Sequence, residues 1–81
     1  MKLVKYKNID GYNFYFEFDN NDKGEVNIET LIGKYVKKDE LSTANLNKEW
    51  GCLEFKKGLV DIEPKTLYKF FSSNISQYQA H

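Results

Sequence analysis

Cys52 is the only thiol in the chain and His81 the only imidazole. A cysteine nucleophile needs a lowered thiol pKa and a base within hydrogen-bond reach, and the one imidazole closes a polar C-terminal stretch. Cys52 therefore reads as structural. One Cys and one His also fall short of the three or four ligands that hold zinc, so neither metal nor cofactor is expected. Asp61 and Glu63 stand two positions apart, on one side of an extended segment. To work as acid and base they would need a pocket that drives their pKa values apart. Beside a helix start they need only meet the positive end of its dipole, a gain of about 0.3–1 kcal/mol, and capping is their expected role. The chain carries no Gly-rich phosphate loop and no Ser/His/Asp arrangement. No catalytic residue is expected.

Residues suited to binding are easier to find. Trp50, just before Gly51, is a candidate anchor, because a loop Trp buries much area when a partner arrives; the competing role is a place in the core. Tyr15 interrupts an otherwise polar strand face, and Tyr68 falls near the base of the last helix. With Lys56 and Lys57 these form the expected partner-binding set: Tyr15, Trp50, Lys56, Lys57 and Tyr68. A second set, Lys34, Tyr35, Lys37 and Lys38, has the basic and aromatic character that tracks a phosphate backbone and stacks on a base, and Lys56-Lys57 would extend it. Asp39, Glu40, Glu49 and Glu54 dilute both lysine clusters, which favours a solvated, mixed-charge surface. Nucleic acid is therefore the second reading, behind a protein partner.

The elements that must position these residues are constrained by size. The 81 residues suit one domain, since a chain this short buries only about 60–65% of its unfolded surface. Hydrophobic residues make up 41% and aromatics 16%, so a few large side chains must fill the core. Twelve basic and twelve acidic residues cancel, removing the broad positive field that draws proteins to nucleic acid. All the basic residues are Lys, which counts against specific DNA reading because Arg supplies the planar fork for guanine edges. Richness in Lys, Asn, Ile and Tyr is also what biased codon usage produces. A lone Cys, no secretory pattern and no run of about 20 apolar residues point to a reducing cytoplasm without membrane insertion.

Tyr12 to Asp19 alternates with period 2, which puts Tyr12, Phe14, Phe16 and Phe18 on one side and Asn13, Tyr15, Glu17 and Asp19 on the other. Leu3 to Asn8 precedes it as a strand, with Asp10-Gly11 as the positive-φ pair of a tight hairpin. Glu25 to Ile28 adds a third strand after the turn formers Asn20 to Gly24. Asn27 is expected to cap a short helix, Ile28 to Ile32, stopped by Gly33, with Ile28, Leu31 and Ile32 facing the sheet. Beyond it, Asp39 to Thr43 suits one helical turn and Ala44 to Asn47 a short strand. Cys52 to Phe55 and Val60 to Ile62 frame a second hairpin, with Gly58 left-handed in its loop. Pro64 opens a helix to about Ser73, with Leu67, Phe70 and Phe71 as its apolar stripe.

From Gly51 to Tyr68 the sequence resembles the bacterial family known as domain of unknown function twenty-four forty-two. The family pattern runs Gly, Thr, aliphatic, any, Trp, Pro, Asn, Gly, any, Asp, aliphatic, Asp, Pro, two further residues, Leu, Tyr. Gly51, Leu53, Phe55, Gly58, Asp61, Ile62, Glu63, Pro64, Leu67 and Tyr68 occupy it here. Phe55 stands for the family's Trp, Lys56-Lys57 for Pro-Asn, Leu59-Val60 adds one residue, and Glu63 replaces the capping Asp. With the earlier strands and short helix, the likeness spans roughly three quarters of the chain. It implies small α+β proteins without an established catalytic activity, some encoded beside a second small protein in proposed toxin–antitoxin pairs.

The expected architecture is one α+β domain over residues 1–73 with a flexible tail over 74–81. Its sheet is mostly antiparallel, a three-stranded meander plus a second hairpin, with a short central helix and a C-terminal helix. The expected function is a non-enzymatic protein-interaction module, antitoxin-like or inhibitory toward a partner, binding through an unpaired sheet edge or the Trp50 loop.

Overall fold

The computed structural model describes the backbone of residues 1–79 and the side chains of residues 1–74. Its first sheet is an antiparallel meander of β1 (Leu3–Asp10), β2 (Asn13–Phe18) and β3 (Lys23–Asn27), with β2 in the centre. The alternation along β2 sets its two faces. Phe14, Phe16 and Phe18 are at most 1% exposed, while on the other face Tyr15 pairs with Lys7 and Glu25, and Glu17 with Lys5 and Lys23. Opposite charges thus flank Glu17 on both sides, the cross-strand arrangement that supports a solvated face.

The second sheet, β4 (Asn45–Asn47), β5 (Cys52–Phe55) and β6 (Val60–Ile62), is also antiparallel with the middle strand central. The expected second hairpin thus carries a third strand, because Asn45–Asn47 pairs with β5. Between the sheets run α1 (Glu29–Ile32) and a 3₁₀ helix over Lys38–Thr43. The final helix, α2 (Pro64–Gln79), begins at Pro64 as expected and continues past Ser73. Of the tail expected over 74–81, residues 74–79 thus belong to α2, and 80 and 81, with His81, lie outside the described residues. The fold is α+β, two three-stranded antiparallel sheets with helices.

One continuous core joins these parts. Phe14 meets Phe55 of the second sheet edge-on at 6.1 Å, and Phe18 meets Phe71 of α2 at 5.1 Å. Phe16 lies between Phe14 and Phe18 with ring centroids 5.8 and 6.3 Å away. The ribbon therefore holds the second sheet at one end and α2 at the other. Leu67, fully buried, belongs to the same cluster. Among the described residues no buried side-chain N or O lacks a hydrogen-bond partner.

Three local expectations need correction. The first hairpin turns at Gly11-Tyr12, because Asp10 already pairs with Asn13. Gly11 alone takes a positive φ, +53°, as a Gly at the first central position of a II′ turn does. Tyr12 leaves the strand but stays buried, and its hydroxyl donates to the Val36 carbonyl at 2.6 Å. Ile28, not Asn27, caps α1, although Asn27 Oδ1 still accepts the Glu29 amide at 3.0 Å. In the second hairpin Gly58 is left-handed as expected, at φ +89°, but Lys56 and Lys57 are too, at +57° and +58°.

Removing the middle ring should be costly. Phe16→Ala is expected to lower the unfolding free energy by about 3–5 kcal/mol, much of the roughly 4–12 kcal/mol that about 0.05–0.15 kcal/mol per residue gives a chain of 81 residues. Leu59→Ala, at a side chain 83% exposed, should shift it by less than about 0.5 kcal/mol. Urea unfolding followed by far-UV circular dichroism measures both.

Candidate functional site

The turn between β4 and β5 is built by Asn47. Its Oδ1 accepts the amides of Glu49 and Trp50, each at 3.1 Å, and its carbonyl accepts the Gly51 amide at 2.7 Å. Its Nδ2 donates to Glu54 Oε2 at 3.1 Å, tying the turn to β5. The tetrapeptide 48–51 is thereby wound around one side chain, as Asx turns are. Gly51 has φ +71°, and a Cβ there would lie 2.7 Å from Lys2 Cα. Only glycine lets the start of β1 cross this point, where the Leu3 amide donates to the Gly51 carbonyl at 3.1 Å.

This turn holds Trp50 outside the core, 64% exposed, which resolves the two roles open to it in favour of exposure. The indole borders an open groove of about 620 Å³, within the roughly 300–1,000 Å³ typical of binding clefts. Met1 and Pro64 share its apolar wall with Trp50, Cys52 borders it from β5, and Asn47, Asp61, Glu63 and Lys65 supply polar edges. Met1 is itself 49% exposed.

Asp61 and Glu63 are both exposed and both reach this groove. Glu63 occupies the position before Pro64, where its carbonyl accepts the Leu67 amide at 3.0 Å. Neither carboxylate makes a side-chain hydrogen bond to the backbone of α2's first turn among the described residues. The expected capping role therefore reduces to proximity to the helix dipole. Among the described residues the one ion pair is Lys56–Glu40, so both carboxylates are free of a cation.

Burial pushes the Cys52 thiol above its ordinary range, helped by the negative charge of Asp61, a hydrogen bond to it, and the charges of Glu54 and Glu63. A raised pKa keeps the thiol protonated and weakly nucleophilic. Among the described residues no group of three or more Cys, His, Asp or Glu is placed to hold a metal ion.

The other expected partner-binding residues lie elsewhere. The Tyr15 hydroxyl donates to Glu17 Oε2 at 2.5 Å on the outer face of β2, and that bond raises its pKa. The Tyr68 ring packs edge-on against Phe18 at 5.1 Å. Its hydroxyl donates to Asp22 Oδ2 at 2.5 Å, clipping α2 to the β2–β3 turn. That bond is the main cause of its raised pKa, against a lowering contribution from Asn20. No hydrogen bond, ring contact or shared cavity joins Trp50 to Tyr15, Tyr68, Lys56 or Lys57 among the described residues.

Lys56 is a structural tie. Its Nζ donates to the Tyr35 carbonyl at 3.2 Å and lies 3.5 Å from Glu40 Oε1, while its amide donates to Thr43 Oγ1 at 2.8 Å. Glu40 also accepts the Lys37 amide at 2.9 Å, the first cause of its lowered pKa. These bonds bring the Lys56-Lys57 turn against the segment of Lys34, Tyr35, Lys37 and Lys38. All four of those residues are exposed, Tyr35 by 61%. Lys56 thus ties the two lysine clusters together in space, with Glu40 bonded to both the Lys37 amide and Lys56.

Sequence reading missed Met1, Asn47, Pro64 and Lys65 as groove residues. The signal for Asn47 was present, an Asn four positions before a Gly in a turn-forming stretch. The others depend on β1 crossing Gly51, which no local pattern reveals. Compared with family models, curated proteins and solved structures, the chain finds no match. No described helix is long and apolar enough to cross a membrane.

The state of the thiol can be tested directly. Cys52 alkylation by iodoacetamide should be at least tenfold slower in the native protein than in urea at pH 8, with a native pH–rate midpoint above the ordinary thiol value of 9.0. Because the folded state holds this proton more tightly than the unfolded state, the thiol's stabilising contribution is complete below the unfolded pKa and is lost as pH rises through the folded one. Mass spectrometry across a pH series reads the rates.

Proposed function

We propose that this chain is a non-enzymatic protein-interaction module of the bacterial cytoplasm that recognises its partner through the Trp50 groove. The supporting observation is the indole itself, 64% exposed on a turn fixed by four Asn47 hydrogen bonds. Exposing so large an apolar surface forgoes roughly 1.5–3 kcal/mol of burial, and a rigid aromatic beside a cleft has the character of an interface anchor. A protonated, recessed Cys52 suits a reducing compartment and favours binding over thiol chemistry. The proposal extends to kinship with domain of unknown function twenty-four forty-two, which Gly51 to Tyr68 resembles, and with it to an antitoxin-like or inhibitory role toward a protein encoded nearby.

Co-purification with the product of an adjacent gene tests this reading. Trp50→Ala should weaken retention at least tenfold and abolish relief of any growth arrest that product causes. The thermal midpoint should stay within about 2 °C, since an exposed side chain contributes little to stability. Retention unchanged by Trp50→Ala would overturn the assignment.

The nearness of the exposed Lys34, Tyr35, Lys37 and Lys38 to the Lys56-Lys57 turn supports a second reading, weak binding of single-stranded nucleic acid with Tyr35 as the stacking ring. That reading predicts binding of a fluorescent oligothymidylate at 20 mM salt that falls at least tenfold by 200 mM, and Tyr35→Ala should remove most of it. No anisotropy change at low salt would eliminate it.

A further inference from the structure

We propose that the free edge of β3 pairs antiparallel with the same edge of a second copy of this chain, joining two meanders into one six-stranded sheet. This surface shares no residue with the Trp50 groove and does not depend on what the groove holds. Bonded and unbonded residue pairs alternate along an antiparallel ladder. The Phe18 amide donates to the Asp22 carbonyl at 2.9 Å and the Ile28 amide to the Tyr12 carbonyl at 3.0 Å. In the register of β2 and β3, the bonded pairs between those ends are Phe14/Val26 and Phe16/Gly24. Lys23, Glu25 and Asn27 therefore direct their amides and carbonyls away from β2. Among the described residues no hydrogen bond outside the ladder reaches those backbone groups. α2 packs on the inner face, where Phe71 meets Phe18, and Lys23, Glu25 and Asn27 are all exposed.

Charge selects the occupant of that edge. Lys23 and Glu25 stand on the outer face with opposite charges. In an antiparallel self-pair with Gly24 on the twofold axis, Lys23 of each copy lies across from Glu25 of the other. Each such pair exchanges both backbone bonds, giving four in all. The pairing also continues the charge order already in the sheet. Lys5, Glu17 and Lys23 form one row across β1, β2 and β3, and Lys7, Tyr15 and Glu25 form the next. Across the axis the first row of one copy meets the second row of the other, reading Lys5, Glu17, Lys23, then Glu25, Tyr15, Lys7. No two like charges are neighbours in it, and opposite charges directly across a ladder stabilise pairing whereas like charges oppose it. A register centred on Glu25 would set that carboxylate against itself.

The other edges resist the same pairing. β1 departs from regular register near both ends, its Leu3 amide is already bonded to Gly51, and a self-pair centred on Tyr6 or Lys7 sets lysine against lysine. β6 in full overlap sets Asp61 against itself, and β4 lies against β1. Bulges and like charges of this kind are how sheets avoid edge-to-edge association. β3 keeps regular register along its length, and its charges match their own reversal. A strand from another protein would need that same alternation of charge to fit as well.

A contact this small associates weakly, so the test spans about 10 µM to about 1 mM. Sedimentation velocity should show a rise from the 9.6 kDa chain toward twice that mass. Amide exchange followed by NMR locates the contact in the unmodified protein. At the higher concentration the Lys23 and Glu25 amides should gain at least fivefold protection, while Asn27, outside the four bonds, stays unchanged. Lys23→Glu and Glu25→Lys each set like charges across the axis, and each should weaken self-association at least tenfold at low salt. An equimolar mixture of the two variants should restore it, because the mixed pair again sets opposite charges across the axis at both positions. A wild-type chain that stays monomeric throughout would overturn the inference, as would a dimer whose Lys23 and Glu25 amides exchange as fast as in the monomer. So would folded variants that self-associate like the wild type or fail to combine when mixed. If circular dichroism shows either variant misfolded, the exchange measurement on the wild type decides alone. Retention of the adjacent gene's product through Trp50 tests the interaction role separately, and neither result alters the other.

Discussion

Three phenylalanines on one strand hold this molecule together. Phe14, Phe16 and Phe18 are separated by single polar or charged residues, so the pleat delivers all three rings to the same side of β2. Their ends reach different partners, Phe55 in the second sheet and Phe71 in α2. A second sheet of only three short strands has little apolar area of its own, and such a unit is marginal without a partner surface. The ring ladder supplies that surface. It also links parts of the chain far apart in sequence within one hydrophobic cluster.

Committing the rings to the interior has a consequence at the surface. Tyr12 and Tyr68 both bury ring area and both spend their hydroxyls on internal acceptors, Val36 and Asp22. Trp50 and Tyr35 stay largely exposed, and each belongs to a short segment pinned by hydrogen bonds, Asn47 beneath one and Lys56 behind the other. Rigid backbone beneath an exposed aromatic reduces the ordering cost of association. The two surfaces differ in character: one is a cleft bordered by carboxylates, the other a stretch of exposed lysines around Tyr35.

Much of the scaffold was legible because its signals are local. Period-2 alternation identified β2, Pro64 marked the start of α2, and Gly58 required a left-handed turn. Boundaries shifted where a side chain had a tertiary use, as when Tyr12 left the strand to bond Val36, or where polarity alone suggested an end, as at Ser73. The site was less legible. Trp50, Asp61 and Glu63 were singled out separately, but nothing in their spacing shows that they border one groove with Met1. That meeting depends on the backbone bond between Leu3 and Gly51, a contact between distant segments. For the carboxylates, helix-dipole reasoning favoured capping, and their freedom from any backbone partner emerges only in three dimensions.

The crossing at Gly51 also governs how the molecule can be handled. Because Lys2 lies against Gly51 and Met1 borders the groove, any residues joined ahead of Met1 emerge at its mouth. An affinity handle fused there would compete with whatever Trp50 engages. The far end of α2, by contrast, lies some 24 Å along the helix from Pro64, at about 1.5 Å of rise for each of its 16 residues.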